Sequence, residues 1–138
     1  MICGNEEQKQ EYLPALASGE KILVFGLTEP DAGSDAGGIR TTAVKDGDSY
    51  ILNGRKCFTS GAPIADYTLV FARTDQSQKG SRGISMFIVD MKLPGVSCGK
   101  AEQKMGIKGY PTSDVILEDV RVTVDCLWGR CTMAIMLR

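Results

Sequence analysis

From Ile22 onward the chain settles into short runs rich in β-branched and aromatic residues, many alternating apolar and polar with period two. That pattern predicts strands over Ile22 to Thr28, Ile39 to Lys45, Ser49 to Leu52, Arg55 to Ser60, Tyr67 to Arg73, Ile84 to Met91, Val96 to Lys100 and Asp114 to Val122. Turn chemistry separates them. Asp46-Gly47 and Asn53-Gly54 tolerate positive φ in tight hairpins, and Pro94-Gly95 is a further turn signal. Two such turns in succession predict a three-strand meander. The segment Asp75 to Gly83 reads as a solvated loop.

Two strands, Tyr67 to Ala72 and Ile84 to Val89, are apolar on both faces and so need cover on both sides. A barrel or a pair of packed sheets supplies one cover; the other is expected from further domains or subunits. Before the strands, Asn5 followed by Glu6, Glu7 and Gln8 has the form of a capping box with acids at the positive end of a helix dipole. A short helix is predicted from there, interrupted or redirected at Pro14 and ending near Ser18-Gly19. The predicted fold is therefore mainly β, an antiparallel β-barrel of about eight strands with a short N-terminal helix.

Composition narrows the chemistry. The 138 residues fit one domain, and 16 basic against 17 acidic residues, without a long run of either sign, suggest neither a nucleic-acid footprint nor a polybasic membrane patch. No histidine is present, which removes Ser-His-Asp and Cys-His catalysis and any histidine-containing zinc site. The five cysteines are odd in number and mostly far apart, as expected of reduced thiols in an intracellular compartment; Cys126 and Cys131 alone are too few ligands for a metal site. No run is long enough to span a bilayer, and the polar start MICGNEEQKQ is not that of a secretory signal.

Two stretches carry candidate chemistry. GLTEPDAGSDAGG, Gly26 to Gly38, follows an apolar strand and is dense in Gly, Asp and hydroxyl residues. It is not a calcium loop, because counting from Asp31 puts Ala36 at the sixth and Thr42 at the twelfth position, where Gly and Glu are needed. It also lacks the glycine spacing of a dinucleotide fingerprint or a P-loop. Residue types leave two readings open: a loop that satisfies its own hydrogen bonds, or one that presents them to a ligand. In NGRKCFTSGA, Asn53 to Ala62, Phe58 stands beside Thr59 and Ser60. An aromatic next to hydroxyls suits a planar cofactor, while Phe58 as core and Ser60 as a strand-end cap would be purely structural.

In order along the chain, GLTEPDAGSD, YILNGRKCFTSGA and KMGIKGYPTSDVILEDVRV resemble the middle domain of the acyl-CoA dehydrogenase family, and Glu6 to Lys21 resembles the end of that family's N-terminal helical domain. The likeness runs from Glu6 to Gly129 and implies three parts. Residues 1–21 would be a remnant of the helical domain, 22–125 the middle β-barrel domain, and 126–138 a tail departing from the family pattern, as in a truncated or frame-shifted longer gene.

The resemblance further implies an FAD enzyme that oxidises the α–β bond of an acyl-CoA thioester, with a carboxylate base supplied by a C-terminal helical bundle. A chain without that bundle is expected to be inactive alone. Phe25, Leu27, Thr28 and Ser34 match the first flavin segment, and Ser34 also matches a residue touching acyl-CoA. Phe58, Thr59 and Ser60 match the second, Phe58 packing on the ring and Ser60 donating near N5; many members have Trp and Thr at positions 58 and 60. Glu29, Asp31 and Asp35 fall in a structural and cofactor loop and are not base candidates. No catalytic or metal-binding residue is assigned within the chain. The implied partners are acyl-CoA, the helical domains of the same enzyme and an electron-transfer flavoprotein, in a family that usually forms homotetramers; the compartment would be the bacterial cytoplasm or the mitochondrial matrix. Two other readings stand beside this one: a non-catalytic β-barrel that binds a ligand or partner, and a related flavin oxidase or monooxygenase domain.

Overall fold

The structure, a computed structural model, describes residues 4–132, with side chains through Trp128. Helix α1, Glu6–Ser18, starts at the expected capping box: Gln8 N–H donates to Asn5 Oδ1 at 2.7 Å, and Asn5 N–H to Gln8 Oε1 at 3.1 Å. It ends at Gly19, whose φ of 79° lets its N–H reach the Leu16 carbonyl. The predicted break at Pro14 does not occur, and the proline sits inside a continuous helix. Both caps are in place, and Tyr12 packs edge-on against Tyr67 at 5.3 Å, so tertiary contacts outweigh the one lost backbone bond.

Eight strands follow: β1 Leu23–Gly26, β2 Thr42–Asp46, β3 Ser49–Ser60, β4 Tyr67–Arg73, β5 Ile84–Asp90, β6 Val96–Cys98, β7 Thr112–Thr123 and β8 Leu127–Thr132. The mainly β class, the eight strands and the N-terminal helix agree with the sequence reading. The sheet, however, is mixed. β1 runs parallel to β4 in the register Leu23 to Tyr67, and β2 meets β4 in parallel at Thr42 and Arg73, while the other pairs are antiparallel. The strand order β6-β7-β3-β2-β4-β5-β8 leaves the barrel-like sheet open between β6 and β8.

The expected meander is also corrected. Asp46-Gly47 does close the β2–β3 hairpin, but Asn53-Gly54 is a bulge inside one twelve-residue strand. Asn53 there exchanges two hydrogen bonds with Asp119 on β7, at 2.8 and 2.9 Å. Gly54 takes φ 155°, and a Cβ at that position would lie 2.3 Å from Thr41 Oγ1, so close approach rather than chain reversal demands the glycine. β8 lies in the region read as a departing tail; it continues the sheet beside β5, and residues 133–138 of that tail fall outside the described residues.

β4 and β5 separate two apolar layers. Val70, Ala72, Phe87 and Val89 face an inner core with Leu52, Val115, Leu117 and Val120. Phe71, Ile84, Met86 and Ile88 face an outer one with Ala32, Ile39 and Trp128, flanked by Tyr12 of α1. Both faces are covered, as the sequence required. This chain's own helix, loop and C-terminal segment supply the second cover. Gln8 ties that cover down by donating through Nε2 to the carbonyls of Asp125 and Leu127 at 2.6 and 2.8 Å. Among the described residues no helix is long and apolar enough to cross a membrane.

Candidate functional site

β1 delivers the first candidate stretch and then stops. Pro30 has no N–H to continue a ladder, and Glu29 and Ala32 close a tight turn by exchanging backbone bonds of 2.9 and 3.2 Å. The turn is held from inside. Glu29 is buried, and its carboxylate accepts from the N–H groups of Arg40 at 2.6 Å and Thr41 at 3.0 Å and from Lys56 Nζ at 2.7 Å. Burial alone would raise the Glu29 pKa, but the bonds from Lys56, Thr41 and Arg40 outweigh it and hold the carboxyl below the usual range. Burial pulls the Lys56 pKa down against the opposing pull of Glu29. A carboxylate so engaged cannot serve as a base, and Glu29 is a structural clamp.

The second stretch is bonded to the first. Cys57 N–H donates to the Thr28 carbonyl at 2.7 Å, and Lys56 Nζ reaches the Leu27 carbonyl at 3.4 Å. The ladder between β3 and β7 slips between Lys56 and Thr59, and at this bulge Phe58 adopts φ 54° with 68% of its surface exposed. A left-handed phenylalanine projecting into solvent is costly both sterically and hydrophobically. Phe58 is therefore not core. Ser60 is exposed too and caps nothing; its Oγ has one contact, 3.4 Å to Thr112 Oγ1. Thr59 points inward, 1% exposed, with its hydroxyl unpartnered, so its side chain is not on the face that Phe58 and Ser60 present.

The remaining predicted residues divide. Phe25 is half exposed and leans on Phe71, ring centroids 4.9 Å apart, while Leu27 packs against the outer core. Ser34 is exposed on the loop beyond the Glu29 turn, and no hydrogen bond links it to the Thr28–Phe58 junction. That loop is fixed by Arg73, which donates to the carbonyl of Gly37 at 2.7 Å and of Gln78 at 3.2 Å, drawing it toward the Asp75 to Gly83 segment.

The third stretch closes on the second. Gly61 N–H donates to the Pro111 carbonyl at 2.7 Å, and Gly61, at φ 81°, leaves room for the Tyr110 hydroxyl, which a Cβ would approach to 2.4 Å. Sequence reading missed Lys56, Arg73, Lys104, Tyr110 and Thr112. Lys56 carried a visible signal, a lysine at an inward position of an apolar strand three residues from a bulge-forming Asn. The others depend on non-local contacts.

The face suits a flavin. A planar ring needs an apolar surface and hydrogen-bond donors at its edge, and Phe58 supplies the first while Ser60 has an uncommitted hydroxyl for the second. Cys57, the thiol nearest this face, is buried, and burial pushes its pKa up, which does not favour a nucleophilic thiolate.

A family model described as acyl-CoA dehydrogenase, middle domain, matches residues 24–120. The chain is 60% identical over 122 residues to a 3-(aryl)acrylate reductase of Clostridium sporogenes, covering 88% of this chain and 32% of that protein. It is 57% identical over 122 residues to the caffeyl-CoA reductase-Etf complex subunit CarC of Acetobacterium woodii, with the same coverage. A solved glutaryl-CoA dehydrogenase of Mycobacterium smegmatis in complex with FADH2 superposes with a TM-score of 0.85 at 39% identity, over 94% of this chain and 32% of that one. The chain thus spans about a third of the length of the curated relatives it matches.

Proposed function

Because the chain belongs to the acyl-CoA dehydrogenase family and spans its middle domain, we propose that it forms the flavin-facing β-domain of an FAD-dependent enzyme acting on the α–β bond of an acyl-CoA thioester. The observation that carries this reading is the junction between the two candidate stretches. Thr28 and Cys57 are locked together at 2.7 Å from behind, while Phe58 is pushed outward at a strained φ and Ser60 keeps an exposed hydroxyl. Local strain at an exposed aromatic, beside a backbone junction that is held fast, supports a site that meets an external partner.

Flavin bound there would supply the two-electron redox chemistry. This chain's own residues bind and orient: Phe58 packs on the ring, Phe25 and Leu27 shape the strand beside it, and the Thr28 and Thr59 positions offer their main chain. Ser60 donates a hydrogen bond at the ring edge, and Ser34 contacts the acyl-CoA from the loop that Arg73 fixes. The catalytic carboxylate comes from outside the described residues. Helical domains flanking this one, a homotetrameric assembly and an electron-transfer flavoprotein as redox partner complete the proposal.

A second reading concerns direction. The two relatives named above are reductases by name, which favours reduction of a conjugated, aryl-bearing 2-enoyl thioester over oxidation of a saturated one. Joining the chain to the flanking helical domains of a relative, and assaying with an artificial electron acceptor and then an artificial donor, tests both. The extended protein should turn over acyl-CoA and the 138-residue chain alone should not. Turnover by the bare chain would place a base within it and overturn the assignment of roles.

A further inference from the structure

Lys104 and Thr112 lie behind Ser60, outside both flavin segments. Lys104 Nζ donates to Thr112 Oγ1 at 3.2 Å and to the Tyr110 carbonyl. Thr112 Oγ1 in turn lies 3.4 Å from Ser60 Oγ, across the β3–β7 ladder where these two residues are directly paired. An ammonium has hydrogens to give and no lone pair to accept with, so the Lys104–Thr112 bond has one direction. The Thr112 hydroxyl has a single hydrogen of its own. Thr112 is buried, and the one hydroxyl within reach of that hydrogen is Ser60 Oγ. A buried hydrogen without an acceptor is costly, which favours Thr112 as the donor in a contact whose geometry fits either direction.

We propose that Lys104 and Thr112 form a relay that orients the Ser60 hydroxyl outward as a donor, making them positioning residues for whatever acceptor Ser60 meets. The proposal rests on the reading above that this acceptor is the edge of a flavin. With Thr112 donating to its oxygen, Ser60 is left with its hydrogen free for the ligand. The bond from a cation polarises the chain of hydroxyls and strengthens that donation. The long Thr112–Ser60 contact is expected to tighten once Ser60 engages an acceptor, because each bond in such a chain reinforces the next. Two-electron reduction puts a hydrogen on the ring nitrogen that Ser60 faces, so a hydroxyl held as a donor there pairs with the oxidised ring and the relay lowers the potential of bound flavin.

Two measurements test this, one without flavin. In urea unfolding, Lys104→Met should lower the folding equilibrium constant roughly threefold more in the wild-type background than in Thr112→Val, where only the bond to the Tyr110 carbonyl is left to lose. Equal effects in both backgrounds would overturn the relay. With FAD bound, photoreduction against a reference dye should show Ser60→Ala shifting the oxidised-to-reduced ratio roughly tenfold toward reduced, about 30 mV for a two-electron couple. Lys104→Met and Thr112→Val should shift it roughly threefold in wild type and not at all in Ser60→Ala. A Lys104→Met shift that persists in Ser60→Ala would mean a simple through-space charge and no relay. Failure of the wild-type chain to bind FAD would fall on the function reading instead, and the urea cycle would still decide whether Lys104 and Thr112 are coupled.

Discussion

Lys56 and Phe58 stand two residues apart on β3 and are opposite in character. Lys56 is a cationic side chain with no exposed surface, and it is paired with a carboxylate that itself accepts three hydrogen bonds. Phe58 is an apolar ring left 68% exposed on strained backbone. The buried Lys56–Glu29 pair and its backbone donors satisfy one another and hold the Thr28 and Glu29 turn still; the outer rim keeps an aromatic face and a hydroxyl exposed. The contrast separates holding from binding. Changes inside should cost stability, and changes on the rim should cost ligand affinity with stability intact.

The largest expected effect is inside. Lys56→Ala leaves the Glu29 carboxylate buried without its counter-ion and should destabilise the domain by about 3–5 kcal/mol in chemical denaturation. A loss below about 1 kcal/mol, the scale of exposed ion pairs, would show that the clamp is superficial. Gly54→Ala should follow at about 2–4 kcal/mol, combining a disallowed φ with a clash against Thr41. An unchanged melting temperature there would mean that the bulge relaxes freely.

The pH dependence carries a sign. The folded pKa of Glu29 lies below its unfolded value of 4.5, so its stabilising contribution is fully present above that value and is lost as pH falls through the lower folded pKa. The stability gap between wild type and Glu29→Gln should therefore be constant near neutrality and shrink as the pH drops below 4.5. A gap that stayed flat into acid would remove the ionised carboxylate from the clamp. A smaller effect of opposite sign is expected at Thr68, whose hydroxyl is buried without a partner. Thr68→Val should stabilise the domain by about 1 kcal/mol, and destabilisation would reveal a hydrogen bond to an internal water.

Much of the architecture was legible in local sequence because local physics decided it. The capping box at Asn5, the left-handed Gly19 and the hairpin at Gly47 all follow from groups within a few residues of one another. Asn53-Gly54 misled for a physical reason: the same positive-φ tolerance serves a hairpin and a bulge, and only the Asn53–Asp119 bonds, 66 residues apart in sequence, choose between them. Pro14 misled because propensity gave way to packing. At the site, residue types left Phe58 undecided between core and ligand face, and its exposure at φ 54° removes the core reading. Lys104 and Thr112 were invisible as partners of Ser60, because strand register sets Thr112 beside Ser60 and Lys104 reaches Thr112 from the loop before β7.

The most direct test is an FAD titration of the chain followed by flavin fluorescence, with Phe58→Ala run beside wild type and both also unfolded in urea. Wild type should bind, and Phe58→Ala should bind roughly tenfold more weakly, the scale of one lost aromatic contact, with an unfolding midpoint within error of wild type because the ring is exposed. Equal affinity in the two proteins, or a loss of affinity matched by a loss of stability, would contradict the assignment of the rim to binding and the interior to holding.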